Sequence, residues 1–156
     1  MSEKLIEWRE GILRPKKVAS SKKKITKTAW ELVKYFKPEE FKCPCCGKCD
    51  MDATLVFMLD TLREFVDEPL VITSGFRCMK YNEEIGGKKN SAHLKGKAVD
   101  IYCVSQIKRY KILMYALLLG FQRIGIGKDF IHLDIDLSLP HPRIWLYPAK
   151  KKKKRR

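Results

Sequence analysis

At 156 residues the chain fits one domain and can bury a core, and its apolar fraction of 45% is ordinary for a soluble globular protein. Its formal net charge of +15 is not ordinary. The longest apolar patch, Ile112 to Leu119, is broken by Tyr115 and falls short of the about 18 residues a transmembrane helix needs, and charges interrupt the N-terminal stretch where a secretory leader would be apolar, so neither is expected.

Residues 1 to 28 have no clear period, and Ser20 to Lys24 reads as a flexible linker. From Ala29 to Phe41 the spacing of Trp30, Leu32, Val33, Tyr35, Phe36 and Phe41 predicts a short ordered entry segment broken at Pro38. A helix is predicted from Asp52, its cap, to Val66, with Leu55, Met58, Leu59, Leu62 and Phe65 as the apolar stripe. Pro69 ends it, and Leu70 to Thr73 reads as a buried strand. A turn at Ser74-Gly75 leads to a short helix from Met79 to Glu84, closed by Gly86-Gly87. Ala98 to Cys103 is a second strand, and Ser105 to Leu119 a second long helix stopped by Gly120. Three more strands are expected at Arg123 to Gly127, Phe130 to Asp136 and Arg143 to Tyr147. Strands grouped after helices predict an α+β fold: a small mixed, mainly antiparallel sheet with helices packed on it.

The charge is unevenly placed. Lys150 to Arg156 are seven consecutive cations, and residues 1 to 28 carry nine Lys/Arg against three Glu. These leave only +2 for residues 29 to 149. The expected organisation is therefore a basic, flexible segment over 1–28, a folded domain over 29–149 and a basic tail over 150–156. Such ends suit any polyanion, but no aromatic residue interleaves with the terminal lysines, so no base-stacking surface is expected.

Chemistry concentrates in two stretches. Ser91-Ala92-His93-Leu94-Lys95-Gly96-Lys97-Ala98-Val99-Asp100 places a His and an Asp on either side of a glycine at a strand entrance, and Phe130-Ile131-His132-Leu133-Asp134 brings a second His in a later strand. Two imidazole nitrogens and one carboxylate oxygen suit zinc and leave a fourth position open, as catalytic sites require. Spacing alone leaves His93 and His132 open to ordinary structural roles, the role assigned to His141 between its two prolines.

The ordered series Ser74-Gly75-Phe76-Arg77-Cys78, Asn82, Gly86-Gly87, Ser91, His93, Gly96, Ala98, Asp100, His132 and Asp134 resembles the zinc D-alanyl-D-alanine carboxypeptidases. That family includes phage and bacterial peptidoglycan endopeptidases and shares its fold with the hedgehog signalling domain. The resemblance runs from about Tyr35 to Tyr147. It implies one catalytic zinc on His93, Asp100 and His132, with Arg77 near it to hold a substrate carboxylate or a developing oxyanion, a role suited to a planar guanidinium. It implies further that Ser91 orients its loop or binds substrate, while Asn82 and the glycine pair are structural. Some relatives carry an acid three positions before the last histidine, here Asp129. Asp129 is favoured as general base, reaching the site only if the chain bends at Lys128. Asp134, on the same strand face as His132, is a supporting partner or the alternative base.

Cys43, Cys45, Cys46 and Cys49 form a cluster in which Cys46 and Cys49 have knuckle spacing. A structural zinc, disulfides formed in an oxidising space, and free buried thiols all remain open, and Cys78 or Cys103 can fold nearby. The expected function is a monomeric zinc metallopeptidase cutting an amide bond in peptidoglycan peptides. It would be made in a cytoplasm and act on the cell wall after release, as a phage lysin or virion component does, with basic ends on anionic wall polymers. The alternative is a noncatalytic metal-binding module of the same fold, against which the full ligand set and the nearby acid both argue.

Overall fold

The computed structural model describes residues 23–148 and the backbone of 6–9 and 12–15. Where no period was legible, strands β1 (Ile6–Arg9) and β2 (Ile12–Pro15) pair as an antiparallel hairpin. Ser20 to Lys22 of the expected linker and the tail Lys150 to Arg156 lie outside the described residues. Lys24, the linker's last residue, bridges Asp52.

The entry segment divides into a one-turn helix α1 (Lys27–Trp30), capped by the Thr26 hydroxyl, and a 3-10 turn over Pro38–Phe41. Pro38 therefore starts an element, because a missing N–H costs nothing in a first turn. Helix α2 (Ala53–Val66) begins at Asp52, whose carboxylate accepts the Thr54 N–H at 2.9 Å, and ends with Asp67 in the left-handed region. Its buried face is Leu55, Val56, Leu59, Leu62 and Val66. Phe65, expected in that stripe, is instead 49% exposed and packs on Tyr115.

Strand β3 (Ile72–Ser74) follows, then α3 (Met79–Glu84), a 3-10 turn over Ala92–Lys95, β4 (Ala98–Tyr102) and α4 (Gln106–Leu118). Strands β5 (Arg123–Ile126), β6 (Phe130–Asp134) and β7 (Arg143–Leu146) complete the chain. One sheet runs in the order β3-β4-β6-β5-β7, antiparallel throughout except for β5 beside β7. The expected α+β class is thus the one found. The reading of Leu70 to Thr73 as a buried strand needs correction. The strand begins two residues later, lies at the sheet edge, and leaves Val71 53% exposed. A short apolar run does not distinguish an edge strand from a central one.

Alternation divides the sheet faces. Val99, Ile101, Ile124, Ile131 and Leu133 face α2 and α4 and are fully buried with Leu59, Leu62, Ile112 and Ala116. The other face carries the polar residues of β4 and β6. No helix among the described residues is long and apolar enough to cross a membrane.

Gly96 fixes how the His93 turn enters β4. It adopts φ +64°, and a Cβ there would lie 1.8 Å from the Asp50 carbonyl oxygen; its own carbonyl accepts the Asp52 N–H at 2.9 Å. Gly96→Ala meets both a left-handed backbone and a rigid backbone neighbour, so a loss of at least about 2 kcal/mol is expected. Urea unfolding of the parent and variant checks this, and equal midpoints would refute it.

Candidate metal centre and active site

A single row across the polar face builds the site. Ser74, Asp100, His132, Gly125 and Trp145 are paired in turn across β3, β4, β6, β5 and β7. Asp100 and His132 are therefore direct neighbours in the register, and His93 joins them from the turn before β4. His93 Nε2 stands 3.3 Å from both Asp100 Oδ1 and His132 Nδ1, and His132 Nδ1 is 2.8 Å from Asp100 Oδ1. Zinc bonds of 2.0–2.1 Å in a tetrahedron separate neighbouring ligand atoms by about 3.3 Å, which two of these separations match, while the third is that of a direct His132–Asp100 hydrogen bond that an ion would open by about 0.5 Å.

The partners of these rings support the same reading. His93 Nδ1–H donates to the Gly75 carbonyl at 2.8 Å, which leaves a lone pair on Nε2. Burial lowers the His93 pKa and favours that neutral form, against the pull of Asp100. Burial also works to raise the Asp100 carboxyl, but the adjoining His132 and His93 rings outweigh it and hold it well below the usual carboxylate range. For His132, burial opposes charge, yet Asp100 and Asp134 raise its pKa overall. A half-buried carboxylate and two buried imidazoles converging this closely form a candidate pocket for a cation.

Asp134 accepts from His132 Nε2 at 3.1 Å, from Arg123 Nε at 2.8 and 3.0 Å, and from the Asp136 N–H at 3.0 Å. Only 1% exposed and with both oxygens engaged, it holds the ring of His132 rather than reaching a cleft. Asp136 lies farther along and pairs with Lys95 at 2.7 Å.

An open cleft of about 290 Å³ adjoins Asp100, lined also by Ser74, Arg77, Tyr102, Asp129 and Phe130. Arg77 Nη2 donates to Asp100 Oδ2 and its Nε to Ser74 Oγ at 2.8 Å, so the guanidinium bridges a ligand and the cleft. Asp129 sits on the tight β5–β6 connection, where Gly127 N–H bonds Phe130 O, and is exposed. The chain does bend at Lys128, and the acid enters the cleft despite its odd offset from His132. Ser91 lies elsewhere in the design: its hydroxyl caps the 3-10 turn by accepting the His93 N–H at 3.4 Å. Asn82 is structural, holding the Lys88 carbonyl with its amide at 3.0 Å. His141 Nδ1 bonds the Leu139 carbonyl within its own loop at 2.9 Å.

Sequence reasoning missed the aromatic wall. The Trp145 and Tyr147 rings lie 5.4 and 6.3 Å from that of His132, and Arg123 stacks on Trp145. Gly125 makes room for them, since a Cβ would come within 2.8 Å of both rings. A glycine next to isoleucines in a strand was the available signal. The cysteines also regroup: Cys43, Cys46 and Cys78 come together, and Cys49 does not join them.

The fold and this site define an α+β domain with a candidate metal site beside an open cleft. Residues 34–134 match the family model described as Peptidase M15, and the chain belongs to that family, whose domain is D-Ala-D-Ala carboxypeptidase-like. No curated protein matches the chain.

Proposed function

We propose that the chain hydrolyses an amide bond in the stem or cross-link peptides of peptidoglycan, with one zinc ion held by His93, Asp100 and His132. The observation that carries this reading is the convergence of those three donors beside an open cleft. When bound there, zinc supplies Lewis-acid activation of the scissile carbonyl and of the attacking water. Asp129 accepts the water's proton on its carboxylate and returns it to the leaving amine. Arg77, oriented by Ser74 and Asp100, holds the substrate's carboxylate or the developing oxyanion. Asp134 fixes the ring of His132, and Ser91 acts by setting the turn that carries His93 rather than by touching substrate.

The same reading places the enzyme on the cell wall after release from the cell, in the manner of a phage lysin. There its basic ends concentrate it on anionic wall polymers, an attraction that salt weakens. Incubating the zinc-loaded protein with purified peptidoglycan should release new amino groups, and mass spectrometry of the products then identifies the bond. A chelator should stop the release and added zinc restore it. Stoichiometric zinc without any new amino groups would instead favour the noncatalytic binding module.

A further inference from the structure

The cysteines of the entry loop have no part in the hydrolysis described above, yet they are drawn to one point. The Sγ atoms of Cys43, Cys46 and Cys78 lie within 4.8 Å of one another, although Cys78 is more than thirty residues from the others. Tetrahedral zinc with sulfur bonds of about 2.3 Å separates sulfurs by about 3.8 Å, well inside that bound.

The loop is shaped for such a site. Cys43 N–H bonds Lys48 O at 2.9 Å, Gly47 N–H bonds Cys43 O at 2.8 Å, and Gly47 turns the chain at φ +68°. This closes the stretch Cys43-Pro44-Cys45-Cys46-Gly47 into a knuckle in which Cys43 and Cys46 are the pair. The pairing of Cys46 with Cys49 expected from spacing is thereby corrected. Backbone N–H groups of Cys78, Cys46 and Cys45 are turned toward the Cys43 sulfur, the first at 3.4 Å. The exposed Cys45 thiol interacts with that of Cys78 but stands outside the group of three, so it joins as fourth donor by turning in as the ion arrives. Cys49 packs on the hydrophobic core, and Cys103 bonds Ser105 O; both stand outside the group.

We propose that Cys43, Cys46 and Cys78, with Cys45 as fourth donor, hold a second zinc ion of structural role. Each thiol releases its proton to solvent as the ion binds. A disulfide would join two of these sulfurs and leave the third unengaged beside it, whereas one ion engages them all. The ion clamps the entry loop to the segment Ser74–Cys78. That segment is already held from the other side by Phe76 N–H on Phe41 O at 2.9 Å. Since Arg77 directly precedes Cys78, and Gly75 O receives His93, the clamp steadies both the cleft cation and one catalytic ligand.

The test uses the full chain purified under reducing conditions from zinc-supplemented cells. Elemental analysis should give two zinc ions per chain for the parent and for Cys49→Ser. It should give one for Cys46→Ser and one for His132→Ala. Cobalt substitution tells the two singles apart. The His132→Ala protein should show a sulfur-to-cobalt charge-transfer band, and the Cys46→Ser protein should lack it. Cys45→Ser should weaken the second ion at least about tenfold in chelator competition. The cobalt spectrum of His132→Ala needs no folded cysteine variant and is independent of whether the enzyme cuts peptidoglycan. One zinc per parent chain, or no sulfur band in that spectrum, overturns the proposal; unchanged competition in Cys45→Ser removes Cys45 from the ligand set.

Discussion

Asp129→Asn should lower kcat on peptidoglycan by about 10²- to 10⁴-fold while leaving zinc content and folding stability unchanged, the range expected when a general base is removed. The choice of this carboxylate over Asp134 is made by what each one touches. Both oxygens of Asp134 are occupied by Arg123, His132 and a backbone N–H, and the side chain is out of reach of solvent. A base must exchange protons with water and with a leaving amine, and Asp134 has no free path to either. Asp129 is exposed and lines the cleft beside Arg77 and Asp100. Of the carboxylates lining that cleft, Asp100 is committed to the histidines, which leaves Asp129. Because its carboxylate is not a ligand, the asparagine variant separates chemistry from metal binding. Asp129→Glu, which keeps a carboxylate on a longer arm, should recover part of the rate. Activity near that of the parent in Asp129→Asn would remove this residue from the reaction.

Asp134→Asn should do the reverse. It replaces a charged acceptor of His132 by a neutral one, and loss of such a partner costs about 10- to 100-fold in metal affinity. It also leaves the Arg123 guanidinium buried beside an amide. Breaking a buried ion pair from one side costs about 3–5 kcal/mol, a large part of the 5–15 kcal/mol that typically holds a domain together. Zinc competition and urea unfolding measure the two losses. At saturating zinc, below the denaturation range, the rate per loaded molecule should approach that of the parent. A variant with parental zinc affinity would show that Asp134 does not hold His132 for the metal.

The helices and the strands of the polar face were legible because their periods are strong and their ends are marked. Asp52 and Ser105 cap, Gly120 stops, and alternation from Ala98 and from Phe130 states which side chains share a face. The convergence of His93, Asp100 and His132 was legible for a different reason, the ordered run of motifs; spacing alone left His93 and His132 undecided. Arg77 and Asp129 could be placed near the site only as expectations, since loop bends carry no period. Trp145 and Tyr147 stayed hidden because β7 reads as an ordinary short strand, and its parallel pairing with β5 is a long-range fact. The knuckle was misassigned for the same reason: Cys46 and Cys49 satisfy a local spacing rule, while the partner that decides the pairing, Cys78, arrives from beyond α2 and β3. Phe65 failed by one position: Val66 takes the buried place at the end of α2.

The row that joins Asp100 to His132 has a thermodynamic consequence. Two of the three proposed metal donors stand on adjacent central strands whose opposite face is the hydrophobic core, so their ordering entropy is met by folding itself and not by an ion. Stripping the proposed metal should therefore leave amide protons of β4 and β6 slow to exchange, with the domain intact and ready to reload. The cysteine knuckle, drawn from two loops and closed by only local backbone hydrogen bonds, leans more on its ion, and it is there that chelation should loosen the chain first.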